Sequence, residues 1–274
     1  MAEFMKDQLL MSDALSAESI RKGIHTVCFG REVMYLPSTE STNLIARKLA
    51  REGAKEGTLV VADYQTQGRG RLERSWWSPP GENLLFSVIF RPPFEVVHSY
   101  RLTVVSSLAV AHALRQATGL EALIKWPNDI YINAKKVSGI LSELGIEDNR
   151  LRYVIMGIGI NINSNPPAFP EISEIATSLY VELGREFPRM RVLKYILELM
   201  ERYYHLLKEG NFNSLRKAWD ELSLIKGKKV KVVSSGFMEE GIAESLDDEG
   251  FLILRELSGE RKRIVSADVS LSLV

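Results

Sequence analysis

Residues 125–141, KWPNDIYINAKKVSGIL, hold two signals in one stretch. The apolar segment Leu123 to Trp126 reads as a strand, so Lys125 stands at a strand end, and Pro127 stops ordinary pairing directly after it. A lysine so placed points into a cleft; the other reading is a plain turn at Asn128-Asp129 with Lys125 snorkelling to water. Downstream, Ile130 to Asn133 and Val137 to Leu144 flank Ala134-Lys135 as a hairpin. A further strand, Leu151 to Ile160, follows a turn at Glu147-Asp148-Asn149.

Working outward, Leu84 to Phe90 is a continuous apolar run of buried-strand length, and Leu102 to Ala117 carries apolar residues at helical spacing. Glu32 to Leu36 and Thr58 to Tyr64 read as strands, and Ser41-Thr42-Asn43 offers caps for a helix running to about Arg51. Val192, Ile196, Leu199, Tyr203 and Leu207 share one helical face, expected to pack on the sheet and to close the large domain. Beyond Lys226 the pattern changes to short segments, Val230–Val233, Gly241–Leu246, Phe251–Leu254 and Arg263–Val265, separated by turn residues, which suggests a small β-barrel. The result is an α+β chain with three parts: a lead-in over residues 1–31 holding at most a short helix at Leu15 to Ile24, a large domain over 32–225, and a small one over 226–274. The last part is marginal for a core of its own and should lean on the large domain.

Composition bounds the function. The 35 basic residues balance 35 acidic ones, so no global field draws nucleic acid or a membrane surface, and any anion site is local. Cys28 is the sole cysteine and the four histidines are scattered, which leaves no disulfide and no zinc pattern and fits a reducing cytoplasm. No export signal and no span of roughly 18 to 20 apolar residues is present.

Two further motifs carry chemistry. In Gly68-Arg69-Gly70-Arg71-Leu72-Glu73-Arg74 the glycines admit close backbone approach, while the arginines offer charged planar forks to carboxylate or phosphate. A solvated loop or a weak nucleic-acid contact is the competing reading, and no P-loop pattern occurs. In Gly157-Ile158-Gly159-Ile160-Asn161-Ile162-Asn163 two glycines interrupt a strand and the asparagines alternate onto one side, as one wall of a pocket or as a bulged edge strand would have it.

Taken in order, Ser41-Thr42-Asn43, Gln65 with GRGRLERSW, KWPNDIYINAKKVSGILSE, GIGININ and Ala176-Thr177-Ser178-Leu179 resemble the biotin protein ligase family, from about Glu32 to the C-terminus. The resemblance implies a mixed sheet like that of class II aminoacyl-tRNA synthetases, followed by an SH3-like β-barrel. It implies a two-step reaction with ATP, magnesium and biotin: formation of biotinyl-5'-AMP, then transfer of biotin to a lysine of a biotin carboxyl carrier protein. By that likeness Lys125 and Arg69 are catalytic. Ser41, Thr42, Asn43 and Gln65 read the biotin head, and Arg69, Gly70 and Arg71 cover biotin and its adenylate. Arg71, Arg74, Trp76, Asn128, Lys136, Asn161, Thr177 and Ser178 fall on the ATP side, while the magnesium ligands stay unassigned. Ser41-Thr42-Asn43 can also be a plain helix cap, and Trp76 a core aromatic.

Two departures matter. Leu72 and Glu73 fill the middle of the arginine loop, and Glu73 puts a negative charge near an anion site unless it pairs with Arg74. Only about 31 residues precede the first strand, so no DNA-binding helix-turn-helix and no repressor role is expected. A homodimer through a sheet edge stays open. The rivals are a lipoate protein ligase, which lacks the Lys-Trp-Pro-Asn-Asp signature, and a nonenzymatic binding module, which would tolerate loss of Lys125.

Overall fold

The structure, a computed structural model, describes residues 15–234, 237–256, 258–265 and 267–271. Residues 1–14 of the lead-in and the Ser235-Gly236 turn lie outside them. The first sheet takes β1 (Val33–Leu36), β2 (Leu59–Ala62), β3 (Leu84–Phe90), β4 (Leu123–Lys125), β5 (Asp129–Ile132), β6 (Lys135–Glu147) and β7 (Arg150–Ile160) in the order β1-β2-β3-β7-β6-β5-β4. Only β1 and β2 run parallel; every other neighbouring pair is antiparallel.

Helices cover both faces, which is why β3 is apolar at nearly every position. On one side α2 (Thr42–Arg51) sets Ala46 and Ala50 on Val60, Ile89 and Ile155. On the other, α3 (Arg101–Thr118) is buried along almost its whole length and ends at Gly119, whose φ of 77° is the left-handed conformation glycine takes at no steric cost. The long helix α5 (Arg189–Lys208) runs along α3 rather than on the sheet, as its apolar face had suggested; it reaches the strands where Tyr204 meets the Phe90 ring edge-on at 5.0 Å. Nor does α5 close the large domain. A further helix, α6 (Phe212–Leu222), buries Phe212, Leu215, Trp219 and Leu222, and the single-turn α4 (Leu179–Leu183) precedes α5.

The central hairpin turns one residue earlier than expected. Asn133 and Ala134, at φ 47° and 62°, make the two-residue turn, and Lys135 already pairs with Ile132. In the lead-in, α1 (Ala17–Gly23) begins at a Ser16–Ser19 capping box. The segment after it is held to α5 by Glu201, whose carboxylate accepts from the backbone N–H groups of Val27, Cys28 and Phe29.

The second sheet, order β11-β10-β9-β8-β12, is antiparallel: β8 (Lys229–Ser234), β9 (Phe237–Leu246), β10 (Leu252–Glu256), β11 (Arg261–Ile264) and an unanticipated edge strand, β12 (Asp268–Leu271). It leans on the first unit as its length requires. Val230, Val232, Leu252 and Leu254 belong to the same apolar core as β3 and α3, and the Tyr100 and Phe251 rings lie 4.9 Å apart. Arg101 Nε donates to the Asp248 carbonyl at 2.7 Å across the junction.

Candidate active site

A cavity of about 420 Å³ opens over the centre of the first sheet. Its floor is the paired strands β6 and β7, where Gly139 faces Gly159 and Leu141 faces Gly157. The missing side chains are occupied from above. A Cβ at Gly157 would fall 2.1 Å from Asn43 Oδ1, and one at Gly159 only 2.5 Å from the Trp76 indole. The glycines of this strand are therefore a flat bed for Asn43 and Trp76, which settles the bulged-edge reading against it.

At one end the polar groups tie together. Gln65 Oε1 accepts from the Thr42 backbone N–H (2.7 Å) and hydroxyl (3.0 Å). The Ser87 hydroxyl, fully buried in β3, lies 2.8 Å from Thr42 Oγ1 and 2.6 Å from Asn43 Oδ1. Ser41 occupies the N-cap position of α2 yet makes no capping hydrogen bond with its side chain, so its hydroxyl is not consumed as a cap.

The arginine loop folds over the cavity as a small hairpin. Gly70 N–H donates to the Arg74 carbonyl (2.7 Å) and Trp76 N–H to that of Gly68 (2.9 Å). Leu72 and Glu73 make its tip, both with positive φ (52° and 59°), an unusual conformation for a branched side chain such as leucine. Arg71 reaches Asn128 Oδ1 at 3.3 Å, and Arg74 pairs with Asp268 of β12. Glu73 is exposed and outside the cavity wall, and Arg74 takes Asp268 instead, so the feared acid in the anion site is absent from it.

Lys125 ends β4 inside the cavity, as Pro127 requires, with Nζ 3.2 Å from the Tyr131 hydroxyl and 5.0 Å from that ring's centre. Burial pushes its ammonium below the ordinary lysine range, opposed by the carboxylates of Asp129 and Asp268. Lys136 pairs with Asp129 at 2.6 Å and sits above the Trp76 ring, 5.5 Å from its centre. Arg69, Arg71, Arg74, Lys125 and Lys136 thus face Asp129 and Asp268, an excess of positive charge concentrated in a chain that is neutral as a whole. Such a cavity lowers the energy of negative charge gathered from two anions.

Of the residues named from sequence, Ser41, Thr42, Asn43, Gln65, Arg69, Gly70, Arg71, Arg74, Trp76, Lys125, Asn128, Lys136 and Asn161 line this cavity. Thr177 and Ser178 do not. The Thr177 hydroxyl donates to Glu182 (2.5 Å), and Ser178 donates to the Ser164 carbonyl (2.6 Å) while capping α4, so both shape the wall from behind through Ala176. Sequence reading missed Ser87, hidden in an apolar run, and Asp129, Tyr131, Asp268 and Val269. The last two come from a strand that had not been foreseen, and only Asp129, beside Lys125 in the quoted motif, had a visible signal.

Residues 35–161 match the Biotin/lipoate A/B protein ligase family, and residues 227–272 match the Biotin protein ligase C terminal domain. The chain is 40% identical over 258 residues to the bifunctional ligase/repressor BirA of Bacillus subtilis, covering 94% of this chain and 79% of that one. It is 34% identical to the biotin acetyl-CoA-carboxylase ligase of Paracoccus denitrificans, over 85% of this chain and 98% of that one. The solved structure of biotin protein ligase from Aquifex aeolicus in complex with biotin and ATP superposes with a TM-score of 0.77 at 32% identity, across 88% of this chain and 100% of that one. The chain belongs to the biotin protein ligase family.

Proposed function

We propose that this chain uses ATP to convert biotin to biotinyl-5'-AMP and then joins the biotin to a lysine of a biotin carboxyl carrier protein. One observation carries the reading. Lys125, the Thr42–Asn43–Gln65 network and the arginine loop, far apart in sequence, line one cavity. The C-terminal match is to a biotin ligase domain, which favours biotin over lipoate.

In the first step a carboxylate oxygen of biotin attacks the α-phosphorus and the bond to pyrophosphate breaks. Two anions must meet, so Lys125, Arg69 and Arg71 hold the carboxylate against the phosphate and stabilise the charge that builds there. Ser41, Thr42, Asn43 and Gln65 read the ureido head through hydroxyl and amide groups. Trp76, Arg74, Asn128, Lys136 and Asn161 form the nucleotide side. Among the described residues no group of three acidic, histidine or cysteine side chains converges as a metal cage. Magnesium carried by the triphosphate would need no more than one or two protein carboxylates. Asp129, which lines the cavity and pairs with Lys136, would supply one, and the ion would neutralise charge on the polyphosphate.

The same reading takes residues 32–225 as a catalytic unit like the class II aminoacyl-tRNA synthetase sheet, 226–274 as an SH3-like barrel, and 1–31 as a lead-in. It places the protein in the cytoplasm. No described helix is long and apolar enough to cross a membrane.

Pyrophosphate release with magnesium and ATP tests the proposal, comparing biotin, lipoate and no acid, with Lys125→Ala alongside. Release that needs biotin and is lost in the variant is expected; no acid-dependent release from folded protein would replace the ligase by a binding module.

A further inference from the structure

Four side chains that line the main cavity come from neighbouring positions of β4, β5 and β6: Lys125, Asp129, Tyr131 and Lys136. Lys125 stands opposite Asp129 in the β4–β5 register, and opposite charges so placed ordinarily close an ion pair. Here they do not. The Asp129 carboxylate is taken from the other side by Lys136 at 2.6 Å, and among the described residues Lys125 makes no ion pair. Its ammonium lies instead 3.2 Å from the Tyr131 hydroxyl, two residues along β5, and 5.0 Å from the centre of that ring. Gly139 makes this exchange of partners possible. It faces Asp129 in the β5–β6 register, and the Lys136 stem passes over it, so that a Cβ there would fall 3.2 Å from both Cε and Nζ of Lys136.

The choice of partner matters to a cation that has to serve two anions. A carboxylate in contact would cancel the Lys125 charge, and the pair would have to be broken before the ammonium could bridge an acid and a phosphate. A phenol is neutral. Its oxygen accepts one hydrogen bond from the ammonium and leaves the charge and two further donors for other groups. The long lysine stem has many rotamers, and the hydroxyl together with the ring face selects among them. We propose that Tyr131 is a positioning residue for adenylate formation: it holds Lys125 off Asp129, so that the ammonium meets the biotin carboxylate and the α-phosphate unpaired. The inference rests on the ligase reading. Lys136 and Gly139 complete the device, since Asp129 already has a cation and exerts less pull on a second one.

Tyr131→Phe keeps the ring and removes the oxygen that Lys125 binds. The ammonium should then turn to Asp129, and pyrophosphate release at saturating biotin and ATP should slow about tenfold, as displacement of a group that holds the reacting atoms does. KM for either substrate should stay within about twofold, because the ureido and adenine contacts proposed above are made elsewhere in the cavity. The decisive comparison is the same substitution made in Asp129→Asn, where no carboxylate waits for the lysine. There Tyr131→Phe should slow release by less than about twofold relative to Asp129→Asn alone. An equal factor in both backgrounds would overturn the proposal, since Tyr131 would then shape the cavity without reference to Asp129. So would an unchanged rate in the single variant, or a loss confined to KM. Absence of biotin-dependent pyrophosphate release in the parent would instead overturn the ligase reading on which it stands.

Discussion

The Trp76 indole sits against the strand at Gly159, so close that a Cβ there would come within 2.5 Å of the ring, while at Gly157, two residues earlier, a Cβ would come within 2.1 Å of Asn43 Oδ1. Neighbouring alternate positions of one strand thus seat the two ends of the proposed ligand. Gly159→Ala must tilt Trp76 and should weaken ATP by about 1 kcal/mol, roughly fivefold to tenfold in KM, with biotin affinity near that of the parent. Gly157→Ala must displace Asn43 and should do the reverse. Calorimetric titration of each variant with biotin and with a nonhydrolysable ATP analogue separates them; equal losses for both ligands in both variants would remove the division of the floor.

In the proposed reaction Lys125 works as a cation, and its environment decides how far into alkaline pH it stays one. Burial already depresses its pKa, and the carboxylates of Asp129 and Asp268 resist that. Because the folded pKa lies below the unfolded one, the unfolded chain binds more protons through the window between them. Lys125 therefore costs stability at neutral pH, and that cost is relieved as pH rises through the folded pKa toward the ordinary lysine value. Activity runs the other way, since the ammonium is lost earlier. Asp129→Asn should move the alkaline limb of adenylate formation to lower pH than in the parent, and Lys125→Ala should reduce the rate by about a hundredfold or more below that limb, with the gap closing above it. A limb that stays in place in Asp129→Asn would show that Lys125 does not set it.

How much of this was legible follows from where each signal lies. Lys125 and Pro127 lie two residues apart, so a strand end and its cleft-facing lysine can be read from a few letters, and the alternation of Gly157, Gly159 and Asn161 fixes one face in the same local way; it stops there, because β7 ends at Ile160 and the Asn163 side chain bonds the Phe187 backbone instead of lining the cavity. Ser87 could not be read so. It sits in LLFSVIF with nothing to distinguish it from a tolerated core serine, and its role exists only because β3 passes beneath Thr42 and Asn43. Asp268 is the same case at longer range: β12 pairs with β8 across the small sheet, and only that pairing carries it to Arg74. The direction of α5 was missed because a helical stripe states which face is buried but not whether a sheet or a second helix buries it.

The Arg74–Asp268 pair fastens the arginine loop to the second sheet at an exposed position, 65% and 39% accessible, where an ion pair is worth at most about 1 kcal/mol. Asp268→Ala should therefore hardly change the urea midpoint, yet it should release the loop. Trypsin should cut after Arg71 and Arg74 faster than in the parent, and biotin plus ATP should slow the cut in both proteins by ordering the loop over the intermediate. Cleavage indifferent to both ligands would remove the lid.

Arg189 shows a different balance because it is buried. Its guanidinium, 5% exposed, donates to Asp63 Oδ1 at 2.8 Å and to the Asn83 carbonyl at 3.3 Å, and Asp63 also accepts from the Tyr35 hydroxyl at 2.5 Å. The Asn83 side chain in turn accepts from Ile162 N–H at 3.0 Å and approaches Asn161 of the cavity wall. Arg189→Met leaves Asp63 with a charge that one phenol cannot balance, and should cost about 3 kcal/mol in urea denaturation. Asp63→Asn with Arg189→Met removes both charges and should recover part of that loss, since it is the uncompensated carboxylate rather than the missing attraction that destabilises. Tyr35, whose pKa is pushed up to about 12 chiefly by its hydrogen bond to Asp63, reports the pair directly. Below pH 10 its contribution is complete in the parent, and it should be lost as pH climbs from 10 toward 12, where the folded chain holds the proton that the unfolded chain releases. In Asp63→Asn that alkaline loss should flatten, and an unchanged slope would assign it to another group.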